Sequence, residues 1–474
     1  MALTGLVDRA LDRVSRTFRG VASGAREAVG APLRPDLPED DLPRLKARIE
    51  ACLSGRGGET SARARAAELG GAYLALSQEG RRRFLLTLAR DYALDRDALA
   101  ATVARWQAAT DDRARSKAEA DLRDALEAPA TRLLALFNGL PEGVKFIVDL
   151  RAELLKLGKA DPTVARLADD LRRLLAIWFD VGFLDLRRID WRTPAALLEK
   201  LIAYEAVHAI HSWSDLKNRL DSDRRCFAFF HPRMPDEPLI FVEVALVDGM
   251  AGDVHRLLDE KAPTRDPGEA NTAIFYSISN CQEGLAGVSF GNFLIKRVAA
   301  ELSRDLPKIK NFATLSPIPG FRSWLLKTLE TEGDLTLSAE EADHLASVSP
   351  PPADAPDQPR GAGAIARLLN GGDWTKQPAA EIALKPVLIR FCARYLLGSH
   401  DGRALDRVAH FHLSNGARVE RLNWLGDSSP NGLRQSCGLM VNYRYRLEDV
   451  DANHEAYADG TIIASGEVKK LAKG

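Results

Sequence analysis

Thr272-Ala-Ile-Phe-Tyr-Ser-Ile-Ser279 runs directly into Asn280-Cys-Gln-Glu-Gly-Leu-Ala-Gly-Val-Ser-Phe-Gly-Asn292 and then Phe293-Leu-Ile-Lys-Arg-Val-Ala-Ala-Glu-Leu302. After Pro307 the text resumes as Phe312-Ala-Thr-Leu-Ser-Pro-Ile-Pro-Gly-Phe321. As elements these are a short β-rich run, a glycine-rich turn, an amphipathic helix and a second short strand. A crossover of that length predicts parallel strands in a right-handed unit. Ligands of parallel α/β units sit at the carboxyl ends of the strands. The glycine turn follows the first strand and Ser316 ends the second, so both should face one crevice. The helix opening after Gly291 starts with unpaired N–H groups and the positive end of its dipole. Gly284, Gly287 and Gly291 would let the backbone approach a phosphate, making the loop a candidate diphosphate cradle. Turn chemistry alone also places glycines there, and the spacing is neither a dinucleotide fingerprint nor a P-loop.

The run Phe275-Tyr-Ser-Ile-Ser, Gly284-Leu-Ala-Gly-Val and Gly291-Asn-Phe-Leu-Ile-Lys-Arg-Val, closing in Leu315-Ser-Pro-Ile-Pro-Gly-Phe, resembles the malonyl-CoA decarboxylases. So do Arg224-Arg-Cys-Phe, Phe411-His-Leu-Ser-Asn-Gly-Ala and Cys437-Gly-Leu-Met-Val-Asn-Tyr-Arg-Tyr. The likeness covers roughly the last three fifths of the chain in order, with a looser similarity upstream. It implies a helical region that serves subunit association, followed by a domain similar to the acyl-CoA N-acetyltransferases (GNAT-like), in which loop N–H groups hold the coenzyme A diphosphate. It assigns catalysis to the serine of Leu-Ser-Pro-Ile-Pro, here Ser316, and to the histidine of Phe-His-Leu, here His412. Ala286, Gly287, Val288, Ser289, Phe290, Gly291 and Asn292 match the family's substrate-binding segment. Many relatives carry a glutamate where this chain has Ser289, which removes a carboxylate that could orient the histidine or a water. Tyr445 matches a family tyrosine near the reacting groups, and the resemblance places Asn415 close by. It also implies a homotetramer acting on malonyl-CoA, with the coenzyme A thioester as substrate and no separate cofactor.

The remaining text is consistent with such a protein. A chain of 474 residues is too long for one ordinary core, and 46% apolar with 28% charged residues is a globular composition. A formal net charge of −1 gives no general attraction to nucleic acid or anionic lipid, so an anion site must be built locally. Cys52, Cys226, Cys281, Cys392 and Cys437 are scattered without a CxxC pair, which reads as reduced thiols in a cytoplasmic protein. No apolar run approaches the length of about 18 residues expected of a membrane span. Arg9, Arg13, Arg16 and Arg19 recur on a helical period, but Asp8, Asp12 and Glu27 make an exposed helix the better reading than a transit peptide.

From Pro43 to Phe179 Ala, Leu, Arg and Glu dominate, and apolar residues recur at three and four, as in Leu167, Leu171, Leu174, Leu175 and Trp178. Breaks near Gly55–Gly58, Asn138–Pro141 and Gly158–Pro162 predict several antiparallel helices. The fold class expected is α+β and multidomain: an all-α bundle for support and oligomerisation over residues 1–180, then a mixed α/β catalytic domain over 181–474. A helix over Pro194–Tyr204 precedes a hairpin formed by Arg225–His231 and Leu239–Leu246, joined by a loop over 232–238. The proline-rich text from Ser349 to Gly363 reads as a surface loop. Val408–Leu413 and Arg418–Trp424 read as a second hairpin turned by Asn415-Gly416, with His410 and His412 on one face and Ala409, Phe411 and Leu413 on the other.

Loss of CO2 from a malonyl thioester leaves an enolate. A catalyst must orient the carboxylate, exclude water, stabilise the oxyanion and protonate the α-carbon. A hydroxyl and a histidine suffice, and no metal is chemically required. A serine before proline is usually a turn residue, and a strand histidine is usually structural; the surrounding motifs favour the catalytic reading of Ser316 and His412. His208, His211, His231 and His400 read as structural. Two alternatives remain open: an acyl-CoA-dependent N-acyltransferase on the same fold, and a non-catalytic acyl-CoA-binding protein.

Overall fold

The computed structural model describes residues 2–22, 32–54, 58–288, 293–351 and 359–473. The N-terminal part is helical, as its periodicity predicts: Ala2–Ala22, Leu42–Leu53, Gly58–Leu74, Gln78–Asp91, Arg96–Ala108, Asp112–Ala125, Pro129–Ala135, Gly143–Leu157 and Pro162–Trp178. Short polar side chains start these helices by accepting orphan N–H groups: Ser77 from Gly80, Asp95 from Asp97 and Ala98, Asp111 from Ala114, and Asp161 from Thr163 and Val164. Phe18, Tyr73, Phe84, Phe137 and Phe146 interlock in the bundle, with Phe137 stacked on Phe146 at 4.7 Å. Burying each such ring stabilises by about 1.5–3 kcal/mol. Arg96–Ala108 and Asp112–Ala125 carry no apolar stripe and bury only Thr102 and Ala118, so this pair stands out from the bundle.

The second part is built on an eight-stranded mixed sheet. Its strands are β1 (Asp185–Ile189), β2 (Arg224–His231), β3 (Met234–Val247), β4 (Thr272–Asn280), β5 (Asn311–Thr314), β6 (Ser316–Pro317), β7 (Arg418–Asn423) and β8 (Met440–Tyr445). β1 to β4 are antiparallel neighbours in chain order, and β2 and β3 form the expected hairpin. β4 and β5 are parallel, joined through a helix over Phe293–Asp305, as the opening stretch predicts. β8 lies antiparallel to β5, β6 and β7. The apolar core is continuous from Phe18 and Phe146 in the bundle through Phe275 and Val298 to Leu413 and Tyr443.

Two features of the sheet shape the site. Glu243 pairs with Ser277 and Val244 with Phe275, which leaves Tyr276 as an extra, bulged residue in β4. β5 follows β4 only from Thr272 to Phe275, whereas β4 continues along β3 to Asn280. A gap therefore opens on the β5 side of β4 just past the bulge.

Two sequence expectations are overturned. Arg407–Ser414 is a helix, α1, and not a strand. Asp406 caps it by accepting from the N–H groups of Val408 (2.8 Å) and Ala409 (3.0 Å). Gly416, at φ 80°, ends it. The Gly416 N–H reaches the Leu413 carbonyl (2.9 Å) and the Ala417 N–H the His412 carbonyl (3.1 Å), the paired bonds of a left-handed helix stop. Asn415-Gly416 is thus a helix terminus, and His410 and His412 leave the helix in different directions. The proline-rich loop also ends earlier than expected, because Arg360–Gly371 is helical.

Candidate active site

Period two along an extended run puts Thr314 and Ser316 on one side of the β5–β6 segment, and Tyr443 and Tyr445 on one side of β8. Antiparallel pairing of these segments brings the two sets together, with Ser316 opposite Val441 and Phe312 opposite Tyr445. His412 enters from α1, near its C-terminal end. Its Nε2 lies 3.1 Å from Ser316 Oγ and its Nδ1 lies 2.8 Å from the Tyr445 hydroxyl. The imidazole stacks on the Tyr443 ring at 4.6 Å with an interplanar angle of 26°. Ser316 Oγ donates to Thr314 Oγ1 at 2.8 Å, and Thr314 Oγ1 also accepts the Tyr443 N–H at 3.1 Å.

The donors and acceptors assign a direction to this chain. Burial pushes the Tyr445 pKa well above its usual value, so the phenol keeps its proton and donates it to Nδ1. Nε2 then carries the imidazole proton and donates to Ser316 Oγ, whose own hydrogen goes to Thr314. Burial also pushes the His412 pKa down to about 3, so the imidazole is neutral at physiological pH. The arrangement is a neutral relay, Tyr445 to His412 to Ser316 to Thr314, held ready for proton transfer.

Ser316 and His412 open onto a cavity of 430 Å³ formed where β4 and β5 part. Phe275, Ile278, Pro317, Val408 and Phe411 supply apolar walls, while His208, Asn280, Arg407, Asp427, Asn431 and Gln435 supply polar ones. Such a site, with apolar and polar residues sharing its walls, suits an acyl group carrying one charge.

The other sequence-predicted residues fall in different places. Asn415 gives its side-chain amide to the Phe411 carbonyl, which makes it a helix-end residue rather than a partner of the histidine. Ala286 and Gly287 are exposed and Val288 is buried, and none of the three lines the cavity. Ser289, Phe290, Gly291 and Asn292 lie outside the described residues. Gly284 is small for another reason than phosphate approach: a Cβ there would fall 1.7 Å from the Val148 carbonyl oxygen, so the turn is packed against the helix Gly143–Leu157. The side chain of Arg151 from that helix donates to the Gly284 carbonyl. His410 bonds the Tyr457 hydroxyl at 2.7 Å, away from the dyad.

Sequence reasoning missed Thr314, Tyr443 and His208. The first two share strand faces with Ser316 and Tyr445, a period-two signal that was available. His208 lines the cavity through a loop whose course no local pattern specifies. Among the described residues no three His, Cys, Asp or Glu side chains converge to hold a metal ion, and no helix is long and apolar enough to cross a membrane. All five cysteines are buried free thiols.

Comparison with known proteins gives the family of the chain. The family model described as "Malonyl-CoA decarboxylase C-terminal domain" matches residues 182–474, and "Malonyl-CoA decarboxylase N-terminal domain" matches residues 92–179. The chain is 39% identical over 420 residues to a mitochondrial malonyl-CoA decarboxylase of Anser anser anser, covering 85% of this chain and 82% of that one. The mitochondrial enzyme of Rattus norvegicus is 39% identical over 363 residues, 74% of this chain and 72% of the relative. Crystal structures of malonyl-CoA decarboxylases from Rhodopseudomonas palustris (42% identity, TM-score 0.79) and Agrobacterium vitis (40%, TM-score 0.80) each align over 90% of this chain and 99% of theirs. This chain belongs to the malonyl-CoA decarboxylase family.

Proposed function

We propose that this protein decarboxylates malonyl-CoA to acetyl-CoA and CO2, with Ser316 and His412 as its catalytic residues. The observation that carries the reading is the buried Tyr445–His412–Ser316–Thr314 relay at the wall of a cavity sized for an acyl thioester. Ser316 Oγ holds the malonyl carboxylate out of the thioester plane by turning its hydrogen to the substrate, while the Thr314 hydroxyl donates in return to Ser316 Oγ and keeps it aimed. As CO2 leaves, electrons move onto the thioester oxygen, and the apolar walls keep water from the enolate. A thioester enolate is basic enough to take a proton from a neutral donor, so the Nε2–H of His412 protonates the α-carbon. Tyr445 restores the charge at Nδ1 by moving its proton along the same chain. Each turnover consumes one proton, which solvent returns to Tyr445 once the products leave, and the coenzyme A thioester is the substrate with no further cofactor.

The helical region over 1–180 serves assembly in this reading, and 181–474 is the catalytic unit. Exposed Trp106, Leu126 and Ile177 supply apolar contacts for a homotetramer acting in the cytoplasm. Incubating purified protein with malonyl-CoA and measuring CO2 and acetyl-CoA with no amine present tests the activity. Strict dependence on an acceptor amine would instead establish an N-acyltransferase. A monomer in sedimentation equilibrium at micromolar concentration would overturn the assembly.

A further inference from the structure

His208 sits on an irregular loop between the helices Ala195–Tyr204 and Trp213–Arg219, and the loop's buried polar contacts all fix its path. Glu205 accepts from the N–H groups of Val207 and His208, both at 2.8 Å, and its carboxylate is held in turn by the hydroxyls of Ser277 (2.8 Å) and Ser279 (3.2 Å) on β4. Arg219 donates to the Ala209 carbonyl at 3.2 Å, and Asp215 accepts from the His211 N–H at 3.0 Å. Arg219 is itself paired with Asp215 and Glu243 inside the protein. Ordering this many buried polar groups around one short loop is costly unless its position matters.

The loop presents the His208 ring to the cavity that holds Ser316 and His412. The ring lies beside the backbone of Tyr276, the bulged residue of β4, which favours its protonated form. Nε2 is buried and has no partner among the described residues. A buried, unpaired ring nitrogen costs free energy unless a ligand completes it.

We propose that His208 is a specificity-determining residue that reads the terminal carboxylate of the malonyl group, its Nε2 donating a hydrogen bond to that carboxylate and so separating malonyl-CoA from acetyl-CoA. The proposal rests on the decarboxylase reading above. In the tautomer protonated at Nδ1 the neutral ring offers only a lone pair at Nε2, so gripping a carboxylate requires a second proton from solvent. The groups facing the ring set this balance. Asp427 across the cavity favours the protonated form, while Arg219 behind the loop and His255 on the helix Val254–Leu257 oppose it. Burial keeps the ring mostly neutral, with a pKa pushed down to about 4, and an arriving carboxylate raises it. Malonyl-CoA binding should therefore take up a proton, and acetyl-CoA binding should not.

The test measures binding by calorimetry at about pH 6, in buffers of different ionisation enthalpy, in a His412→Asn background where turnover is blocked. His208→Asn is the informative variant, because its amide stands in for Nδ1–H while deleting Nε2. The expected result is a loss of malonyl-CoA affinity on the order of 10- to 100-fold, acetyl-CoA affinity within about 2-fold, and disappearance of the malonyl-specific proton uptake. Equal losses for both ligands, or unchanged uptake, would overturn the proposal. If His208→Asn does not fold, His208→Gln and the parent decide: equal proton uptake with the two thioesters in the parent rejects the idea. Failure of the protein with native His412 to release CO2 from malonyl-CoA would count against the decarboxylase reading instead.

Discussion

Ser316 Oγ and His412 Nε2 lie 3.1 Å apart although 96 residues separate them in the chain. One side chain leaves a two-residue strand and the other a short helix, and β8 is the element that carries both into register. If the two act as a unit, Ser316→Ala and His412→Asn should each lower kcat on the order of 10²–10⁴-fold, and the double variant should lose little more than the worse single one. Steady-state kinetics on malonyl-CoA checks this; strictly multiplicative losses would mean that the residues act independently.

Thr314 and Tyr445 set the direction of the relay from its two ends. Tyr445→Phe removes the donor to Nδ1 and Thr314→Val the acceptor for Ser316. Each is expected to lower kcat roughly 10-fold or more with little change in KM. Thr314→Ser, which keeps the hydroxyl, should restore most of the rate. A Thr314→Ser variant as slow as Thr314→Val would show that Thr314 packs rather than positions.

His412 and His208 are both neutral in the folded protein because burial lowers their pKa values, to about 3 and about 4. Unfolding returns them to the ordinary value near 6.5, so below that pH the unfolded chain binds more protons than the folded one. Their contribution to stability is complete above about pH 6.5 and is lost as pH falls towards 4 and then 3. Urea midpoints should fall steadily from about pH 7 to pH 5, and less steeply in His412→Gln. For the same reason His412 should give kcat/KM of the free enzyme no inflection near pH 6.5; one that vanishes in His412→Gln would contradict its neutrality.

Gly416 combines a φ of 80° with close contact, since a Cβ there would lie 2.2 Å from the Val450 carbonyl oxygen. Gly416→Ala should destabilise by about 1–3 kcal/mol and shift the helix end that carries His412. Thermal melting and kcat of the folded fraction should both decline. Full activity per folded molecule would show that the helix stop does not place the imidazole.

Gly284 distinguishes packing from ligand contact. Because its Cβ would meet Val148, Gly284→Ala should cost about 1–3 kcal/mol. KM for malonyl-CoA should stay within about 2-fold in the protein that still folds. A raised KM at unchanged stability would restore this glycine to a substrate cradle.

Much of this molecule could be read from local text. Helical periodicity and the glycine and proline breaks specified the bundle, and the β-run, glycine turn, helix and strand around Thr272–Phe321 specified a parallel pair, because period and turn chemistry act over a few residues. The motifs singled out Ser316, His412 and Tyr445, and the fold brings these three side chains together. The segment Asp406–Gly416 misled, although an N-cap aspartate and a glycine helix stop were present; its apolar alternation fits a strand as well as one face of a two-turn helix, and only packing against the core separates the two. Tertiary structure alone decided the rest. Proton order along Tyr445, His412, Ser316 and Thr314 depends on distances across three strands and a helix. The placement of His208 at the cavity depends on Glu205 and Arg219, which tie its loop to residues of distant strands. Gly284 is required by a helix more than a hundred residues upstream. These are contacts between segments far apart in the chain, and periodicity and motif spacing carry no information about them.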